Sequence, residues 1–149
     1  MFQGNSVLLV KNKKGRFSFP KGKKERKDLT IYECARREFL EETGMFGFSY
    51  VMNRNSIEHF NPLKKKIVYY YACRMEIKFD YFEICLCDPD NDIVESNFYD
   101  LHDVALNRMI SEEFMSILLE AQSRLANNNC EFRDSFMSRE FEMKLSTIK

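Results

Sequence analysis

The sequence predicts one mixed α+β domain, on three observations. The chain has 149 residues, enough for one domain with its own core and short for two. Its apolar residues fall into several short strand-like runs and two longer runs with helical spacing. These runs follow the order strands, helix, strands, helix, which differs from a regular βαβ array. We therefore expect a domain over residues 1–126 and a C-terminal tail over residues 127–149.

The first elements are two short strands and a loop. Ser6–Asn12 is an apolar run rich in strand formers, and a turn follows it. Arg16–Phe19 alternates as a second short strand, which Pro20 ends because proline has no N–H to donate to a sheet. The lysine- and arginine-rich stretch up to Asp28 lacks periodicity, and we expect it to be a loop.

A capped helix is predicted over Ile31–Thr43. Thr30 is a favourable N-cap residue, and Glu33 three positions later completes a capping box. Gly44 fits the position just beyond a helix, where the backbone adopts a left-handed conformation.

Strand-like runs and a second helix account for the rest of the domain. The runs are FGFSYVM, SIEHF, KKIVYYYACRMEI, YFEICLC and SNFYDL, and Asp88–Asn91 is a turn between the last two. Ser111 caps a second helix, which carries an apolar stripe at three- and four-residue spacing and ends at Asn127–Asn129. Residues 127–149 are predicted to be either a weak third helix or a flexible segment.

Basic charge is concentrated in one segment of a chain whose net charge is zero. Nine Lys or Arg and one Glu lie between Lys11 and Lys27, a local charge of +8, so the rest of the chain carries −8. The whole molecule therefore has no general attraction to nucleic acid or membrane. A basic segment of this kind is by itself more typical of a solvated loop than of a polyanion site.

The cysteine count and the apolar runs favour a cytoplasmic or nuclear protein. Five Cys without a repeated pair spacing, and only two His, make a structural zinc site unexpected. We expect reduced thiols, as in the cytosol or nucleus. The apolar run Val7–Val10 is too short for a signal peptide, and no run approaches the length of a membrane span.

Three glutamates on the inner side of the first helix suggest a cation site. At about 100° per residue, Glu38, Glu41 and Glu42 continue the helix's stripe of apolar and small residues. Like charges three or four residues apart cost about 0.2–0.5 kcal/mol per pair, and the C-terminal end of a helix disfavours anions. A divalent cation reverses the sign of these terms, and carboxylate oxygens suit Mg²⁺ or Mn²⁺. From the residues alone, an acidic helix end that faces water remains the alternative.

The string REFLEETGM over Arg37–Met45 resembles the second half of the Nudix box, R-E-U-x-E-E-x-G-U, where U is a bulky apolar residue. All seven specified positions fit. The resemblance implies an α/β/α sandwich with a mixed sheet, and a hydrolase that uses Mg²⁺ or Mn²⁺ to cleave a nucleoside diphosphate from another group. It implies that Glu38, Glu41 and Glu42 bind the metal, that Glu41 aligns or deprotonates water, and that Arg37 orients a glutamate.

The chain departs from the family pattern ahead of this helix. The full pattern is G-x(5)-E-x(7)-R-E, and counting back from Arg37 puts Leu29 at the Glu position and Lys23 at the Gly position. Gly22 lies one residue too early for the structural glycine. Asp28 is a substitute for the missing acid if the loop carries a one-residue insertion.

Two further comparisons with the family concern the first strand and Asp92. Nudix domains usually have another strand before the one that Ser6–Asn12 resembles, so this fold either does without that strand or has a shortened form of it. Asp92 weakly matches a position where many family members carry a Glu.

The residues around Lys21 also resemble one branch of the family. FPKGK, over Phe19–Lys23, together with CARREFLEETG looks like the Nudix domain of mRNA decapping enzymes. That resemblance implies that Lys21, Lys23 and Lys24 hold the phosphates of a capped RNA. Lys64–Lys66 would extend the RNA path, with a solvated turn as the alternative.

Two other functions remain open from the sequence. Hydrolases of diadenosine tetraphosphate and of diphosphoinositol polyphosphates also carry P-K-G before the box, and a basic loop suits such substrates. The chain has no Trp to stack on a cap base, although Tyr and Phe are available. A Nudix-fold binding or regulatory protein without hydrolysis is the third possibility, and the Leu29 departure motivates it.

Overall fold

A computed structural model of the protein describes residues 1–84, 92–127 and 131–137. The predicted turn Asp88–Asn91 lies outside these residues. The helices are α1 (Ile31–Thr43), α2 (Leu101–Leu106) and α3 (Glu112–Ala126). The strands are β1 (Phe2–Gln3), β2 (Ser6–Asn12), β3 (Phe17–Ser18), β4 (Met45–Asn53), β5 (Ile57–Asn61), β6 (Lys66–Tyr70), β7 (Cys73–Ile84), β8 (Ile93–Asp100) and β9 (Glu131–Phe136). Within this part of the chain, no helix is long and apolar enough to span a bilayer.

The predicted α/β/α sandwich with a mixed sheet is confirmed. Among the described residues, seven strands form the main sheet. β1 and β3 pair with successive parts of one edge of β2, and β8 pairs along its other edge. From β1 the order continues through β7 and β4 to β9. β1 runs parallel to β7, whereas β2 pairs antiparallel with β1, β3 and β8. Successive residues of β2 face opposite layers: Leu8 packs with Phe39 and Leu40 of α1, and Leu9 packs with Leu118 of α3.

A strand does precede Ser6–Asn12, so the alternative in which the fold does without it is wrong. β1 is only two residues long, and Phe2 pairs with Val7 of β2 and with Arg74 of β7. Phe2 is buried in the core on the α3 side, which anchors this short strand.

The predicted limits of β2 and α1 are confirmed, and so are the helix caps. The Glu33 N–H donates to Thr30 Oγ1 at 3.1 Å, while the Glu33 carboxylate accepts from the Leu29 N–H. Gly44 has φ of 63°, and its N–H donates to the Leu40 carbonyl at 2.8 Å. These contacts involve neighbours along the chain, so the sequence pattern predicts them well.

The long run KKIVYYYACRMEI forms two elements instead of one strand. Its first part, β6, pairs with β5 in a two-stranded hairpin outside the main sheet. Its second part begins β7, which pairs with β4 and extends through the predicted YFEICLC run as far as Ile84. Cys85 and Cys87 lie outside the described residues.

The C-terminal half differs from the prediction in two places. The chain after β8 enters a short helix, α2, whose N-cap Asp100 accepts hydrogen bonds from the N–H groups of His102 and Asp103. The expectation of a helical or flexible tail is wrong for Glu131–Phe136, which form β9 and pair antiparallel with β4. The main sheet therefore includes residues beyond the predicted domain limit.

Candidate active site

A cleft of about 510 Å³ lies beside the C-terminal half of α1. α1 contributes its three glutamates to one wall, and the β2–β3 hairpin, the start of β8 and the start of α3 form the others. The lining residues are Asn12, Arg16, Phe17, Ser18, Lys21, Glu38, Glu41, Glu42, Asp92, Ile93 and Phe114. Acidic and basic side chains thus share one cleft, as a metal-dependent phosphate site requires.

Arg37 donates hydrogen bonds to three carboxylates at the cleft. Its Nε and Nη2 donate to the two carboxylate oxygens of Asp28, each at 3.0 Å. Its Nη1 donates to Glu38 Oε1 at 2.9 Å and to Glu41 Oε2 at 3.1 Å. The hydrogen bonds from Arg37 hold the pKa of Asp28 below its usual value, and Asp28 in turn raises the pKa of Arg37. Both groups are therefore charged, and a bidentate pair of this kind fixes the guanidinium plane.

The backbone before α1 packs directly on the glutamates. A Cβ added at Gly22 would lie 1.8 Å from the Glu38 carboxyl carbon, so no side chain fits at this position without moving Glu38. The Lys21 N–H donates to Glu42 Oε1 at 2.9 Å, and the Lys23 carbonyl accepts from Arg37 Nη2 at 2.9 Å. The segment Lys21–Lys23 is thus part of the site through its backbone.

These contacts explain the irregular spacing of the sequence pattern. Five residues separate Gly22 from Asp28, as the Nudix pattern requires between its Gly and its Glu. Eight residues instead of seven then separate Asp28 from Arg37. Asp28 is 4% exposed, whereas Leu29 is 70% exposed. The structure therefore gives Asp28 the contacts to Arg37, and the extra residue is accommodated at Leu29 between the loop and the helix.

Burial makes the ionised form of the glutamates costly. Glu42 is 7% exposed, and desolvation by burial raises its pKa to about 7. Desolvation also raises the pKa of Glu38. Within the described residues Glu42 makes no ion pair, and the Lys21 N–H donates to one of its oxygens. A cation bound beside Glu42 would relieve this cost.

The glutamates fit a divalent metal ion in the chemistry of their donors. Their carboxylate oxygens are the ligands that Mg²⁺ and Mn²⁺ prefer. However, among the described residues no three acidic, His or Cys side chains bring their ligand atoms together. Arg37 Nη1 binds both Glu38 and Glu41 instead. Coordination by all three glutamates therefore requires their carboxylates to reorient.

The structure separates the three predicted phosphate-binding lysines. Lys21 lines the cleft, and its Nζ lies 5.6 Å from the ring centre of Phe114 on α3. Lys23 and Lys24 are exposed and do not line the cleft. Gly44 acts at a distance from the cleft by ending α1.

Sequence reasoning misses several cleft residues. The sequence pattern places Asn12 and Phe17 in strands, makes Arg16 one cation among many in the basic segment, and makes Phe114 part of an apolar stripe. They meet the glutamates only because the sheet brings distant segments together, so no local spacing marks them. The weak family match at Asp92 is a usable signal, since Asp92 lines the cleft.

Comparison with known proteins identifies the family. The sequence profile of the NUDIX domain matches residues 1–118, most of the chain. The chain belongs to the Nudix family. A NUDIX hydrolase from Nitrosomonas europaea has a similar fold, with a TM-score of 0.54 and 18% sequence identity over 80% of this chain and 81% of that chain. No match to a curated protein was found.

The general chemistry of this Nudix protein follows from its family. It is a hydrolase of the pyrophosphohydrolase type, and the family acts on nucleotide polyphosphates with divalent metal ions. The general prediction of a Nudix hydrolase is therefore confirmed.

Proposed function

We propose that this Nudix hydrolase removes the 5′ cap of RNA and releases 7-methylguanosine diphosphate. The observation that carries the proposal is the placement of the basic loop. Lys21 lines the cleft with the three glutamates, whereas Lys23 and Lys24 are exposed on the loop just beyond it. Cations outside the reaction cleft favour a substrate that carries phosphates beyond the bond that is cleaved, as an RNA chain does.

The acidic wall would hold the metal and handle the proton. We assign the metal to Glu38, Glu41 and Glu42, where the ion, whether Mg²⁺ or Mn²⁺, would neutralise charge on the phosphate and activate water. Glu41 is the most exposed of the three, which favours it as the group that orients water and accepts its proton. Arg37 positions Glu38 and Glu41, and Asp28 holds Arg37 in place.

The basic and aromatic residues of the cleft would hold the substrate. Arg16 and Lys21 are the cleft's basic residues and would bind the polyphosphate. Phe17 and Phe114 line the same cleft, and their rings supply stacking surfaces for a base in a chain that has no Trp. The proposed location is the cytoplasm or the nucleus, where capped RNA is found.

A substrate panel tests the proposal. Purified protein with Mg²⁺ or Mn²⁺ is incubated with cap-labelled RNA, diadenosine tetraphosphate and a diphosphoinositol polyphosphate, and Glu41→Gln serves as the inactive control. We expect 7-methylguanosine diphosphate from the capped RNA and none from the variant. If only diadenosine tetraphosphate or only the diphosphoinositol polyphosphate is hydrolysed, the protein is a hydrolase of that small molecule and the decapping proposal is wrong. Absence of product from all three substrates would favour a binding or regulatory protein.

A further inference from the structure

We propose that the exposed face of the β5–β6 hairpin binds single-stranded RNA. The hairpin forms its own two-stranded sheet and therefore has two distinct faces. On the inner face, Ile57 is buried in the core and His59 contacts Glu113 of α3. On the outer face, Phe60 and its partner Ile67 are 57% and 51% exposed. This inference rests on the proposed RNA substrate, but its site lies outside the catalytic cleft.

The outer face carries two aromatic residues, Phe60, which is exposed, and Tyr69, which is half-buried. Phe60 pairs with Ile67, and Tyr69 lies two residues further along β6 on the same face. Diagonal neighbours of this kind are about 7–8 Å apart, within reach of each other's rings. Sheets that bind single-stranded RNA place aromatic side chains on one face and stack successive bases on them. Phe60 and Tyr69 form such a pair.

The tip of the hairpin adds positive charge. Lys64, Lys65 and Lys66 are exposed there, and Lys65 has φ of 51° in the turn that presents them. Residues 57–70 contain these three lysines and one acid, Glu58, so the hairpin carries +2 while the rest of the chain carries −2. Lysines beside stacking rings are the combination found in single-strand binding surfaces.

Ring contacts join the hairpin to the catalytic cleft. Tyr70, the last residue of β6, has its ring centre 6.0 Å from that of Phe19. Phe19 in turn lies 5.6 Å from Phe114, which lines the cleft. These contacts lie on the inner face of the hairpin, and they hold its base two ring contacts from the cleft wall. An RNA strand that leaves the cleft would therefore pass close to the hairpin.

An anionic membrane is the other ligand that lysines and exposed apolar groups would suit, since Leu63 at the tip is 95% exposed. Glu58, however, shares the outer face with Phe60 and is exposed there. A carboxylate on the contact face opposes both of these anionic ligands, so it does not decide between them. The exposed ring of Phe60 beside the lysines, and the short distance from the hairpin to the cleft, favour RNA.

The test is binding of a fluorescent, uncapped 12-nucleotide oligouridine to the full chain without metal. We expect the variant K64A/K65A/K66A to bind more weakly and to lower the slope of log K against log salt by about 2, since each phosphate that a lysine neutralises adds about 0.7 to that slope. Phe60→Ala should weaken binding roughly 5- to 100-fold, and Phe60→Tyr should preserve it. The control K13A/K14A removes two exposed lysines of the β2–β3 turn and should bind like the parent.

Unchanged binding in both hairpin variants would overturn the inference, provided that their circular dichroism and Tm match the parent. Sedimentation with phosphatidylserine vesicles tests the membrane alternative. The inference would also be overturned if the parent bound vesicles, Leu63→Ala did not, and the hairpin variants bound RNA like the parent. Because oligouridine has no cap, its binding is independent of decapping. Hairpin-dependent RNA binding without cap hydrolysis would refute the proposed function alone, and cap hydrolysis without hairpin-dependent binding would refute this inference alone.

Discussion

Asp28 shows how much a single residue contributes to this site. Its two oxygens bind the Arg37 guanidinium, and that group binds two of the three glutamates. Asp28 therefore controls the position of carboxylates that it does not itself touch.

Asp28→Asn should destabilise the fold by about 1.5–3 kcal/mol, because a buried guanidinium loses its charged partner. The pKa of Asp28 is lowered by folding, so its contribution is present above the unfolded pKa of 3.8 and is lost as the pH falls through the folded value. Urea unfolding at pH 7 measures the effect. Leu29→Ser, at the exposed neighbouring position, is the control and should stay within about 0.5 kcal/mol of the parent. Equal stability of the two variants would contradict the role of Asp28.

Gly22→Ala tests the contact between the loop backbone and Glu38 of α1. The new Cβ would displace the Glu38 carboxylate, so we expect kcat/KM to fall about 100-fold, the cost of a small misplacement of a reacting group. The control is Lys13→Ala, at an exposed position outside the cleft lining, which should leave kcat/KM unchanged. Equal activity of Gly22→Ala and the parent would show that Glu38 tolerates displacement.

The burial of Glu42 should make the stability of the fold depend on pH when no metal is present. Burial raises its pKa from 4.5 to about 7, so the folded state retains a proton that the unfolded state releases. Its contribution is fully present below pH 4.5 and is lost as the pH rises through 7. In EDTA, Glu42→Gln should therefore gain Tm relative to the parent at pH 8 but not at pH 4.5. Mg²⁺ should raise the Tm of the parent more at pH 8 than at pH 5.5. The opposite order would contradict the burial argument.

At the scale of elements, β9 depends on its partners. Phe136 is buried on the α1 side of the sheet, with its ring stacked at 4.9 Å on that of Phe39. Asp134 accepts hydrogen bonds from the Tyr32 hydroxyl and from Arg36 Nη1, and so ties β9 to α1. The strand therefore completes the layer of the sheet on which α1 packs.

Phe136→Ala should lower the free energy of unfolding by about 3–5 kcal/mol, the usual cost of removing a buried phenylalanine ring. Arg133→Ala, on the same strand with an exposed side chain, should change it by less than about 0.5 kcal/mol. Chemical denaturation of both variants gives the comparison. A small loss for Phe136→Ala would place β9 outside the cooperative domain.

The elements also show how far sequence patterns reach. The limits of α1 are predictable because its capping contacts and acidic face depend on residues at most four apart. Those of β9 are not, because its residues alternate weakly and acquire their strand pairing from β4, more than 70 residues earlier. The helix α2 escapes prediction because six residues after a strand carry too few periodic positions.

At the scale of the whole molecule, charge is separated between the basic segment and the rest of the chain. The segment between Lys11 and Lys27 carries +8 and folds over one side of the acidic helix. Attraction of a polyphosphate substrate should therefore be local and sensitive to salt.

Replacing both Lys21 and Lys23 with Ala should weaken polyphosphate binding and reduce its salt dependence, because two cations that attract the phosphates are lost. Binding of a non-hydrolysed cap analogue over a salt series measures it. Lys13→Ala, in the same basic segment but outside the cleft lining, is the control. An unchanged salt dependence would indicate that the basic segment is a solvated loop without a role in phosphate binding.

The amino-acid sequence alone predicts α1, with its limits, its caps and the three acids on its inner face. All of these follow from contacts within one turn of the helix, which spacing reveals. Three-dimensional packing was needed to show that Asp28 binds Arg37, that Phe114 and Asp92 complete the cleft, and that Glu131–Phe136 join the sheet. Strand register and packing bring these distant residues together, and a local pattern contains no information about such long-range contacts.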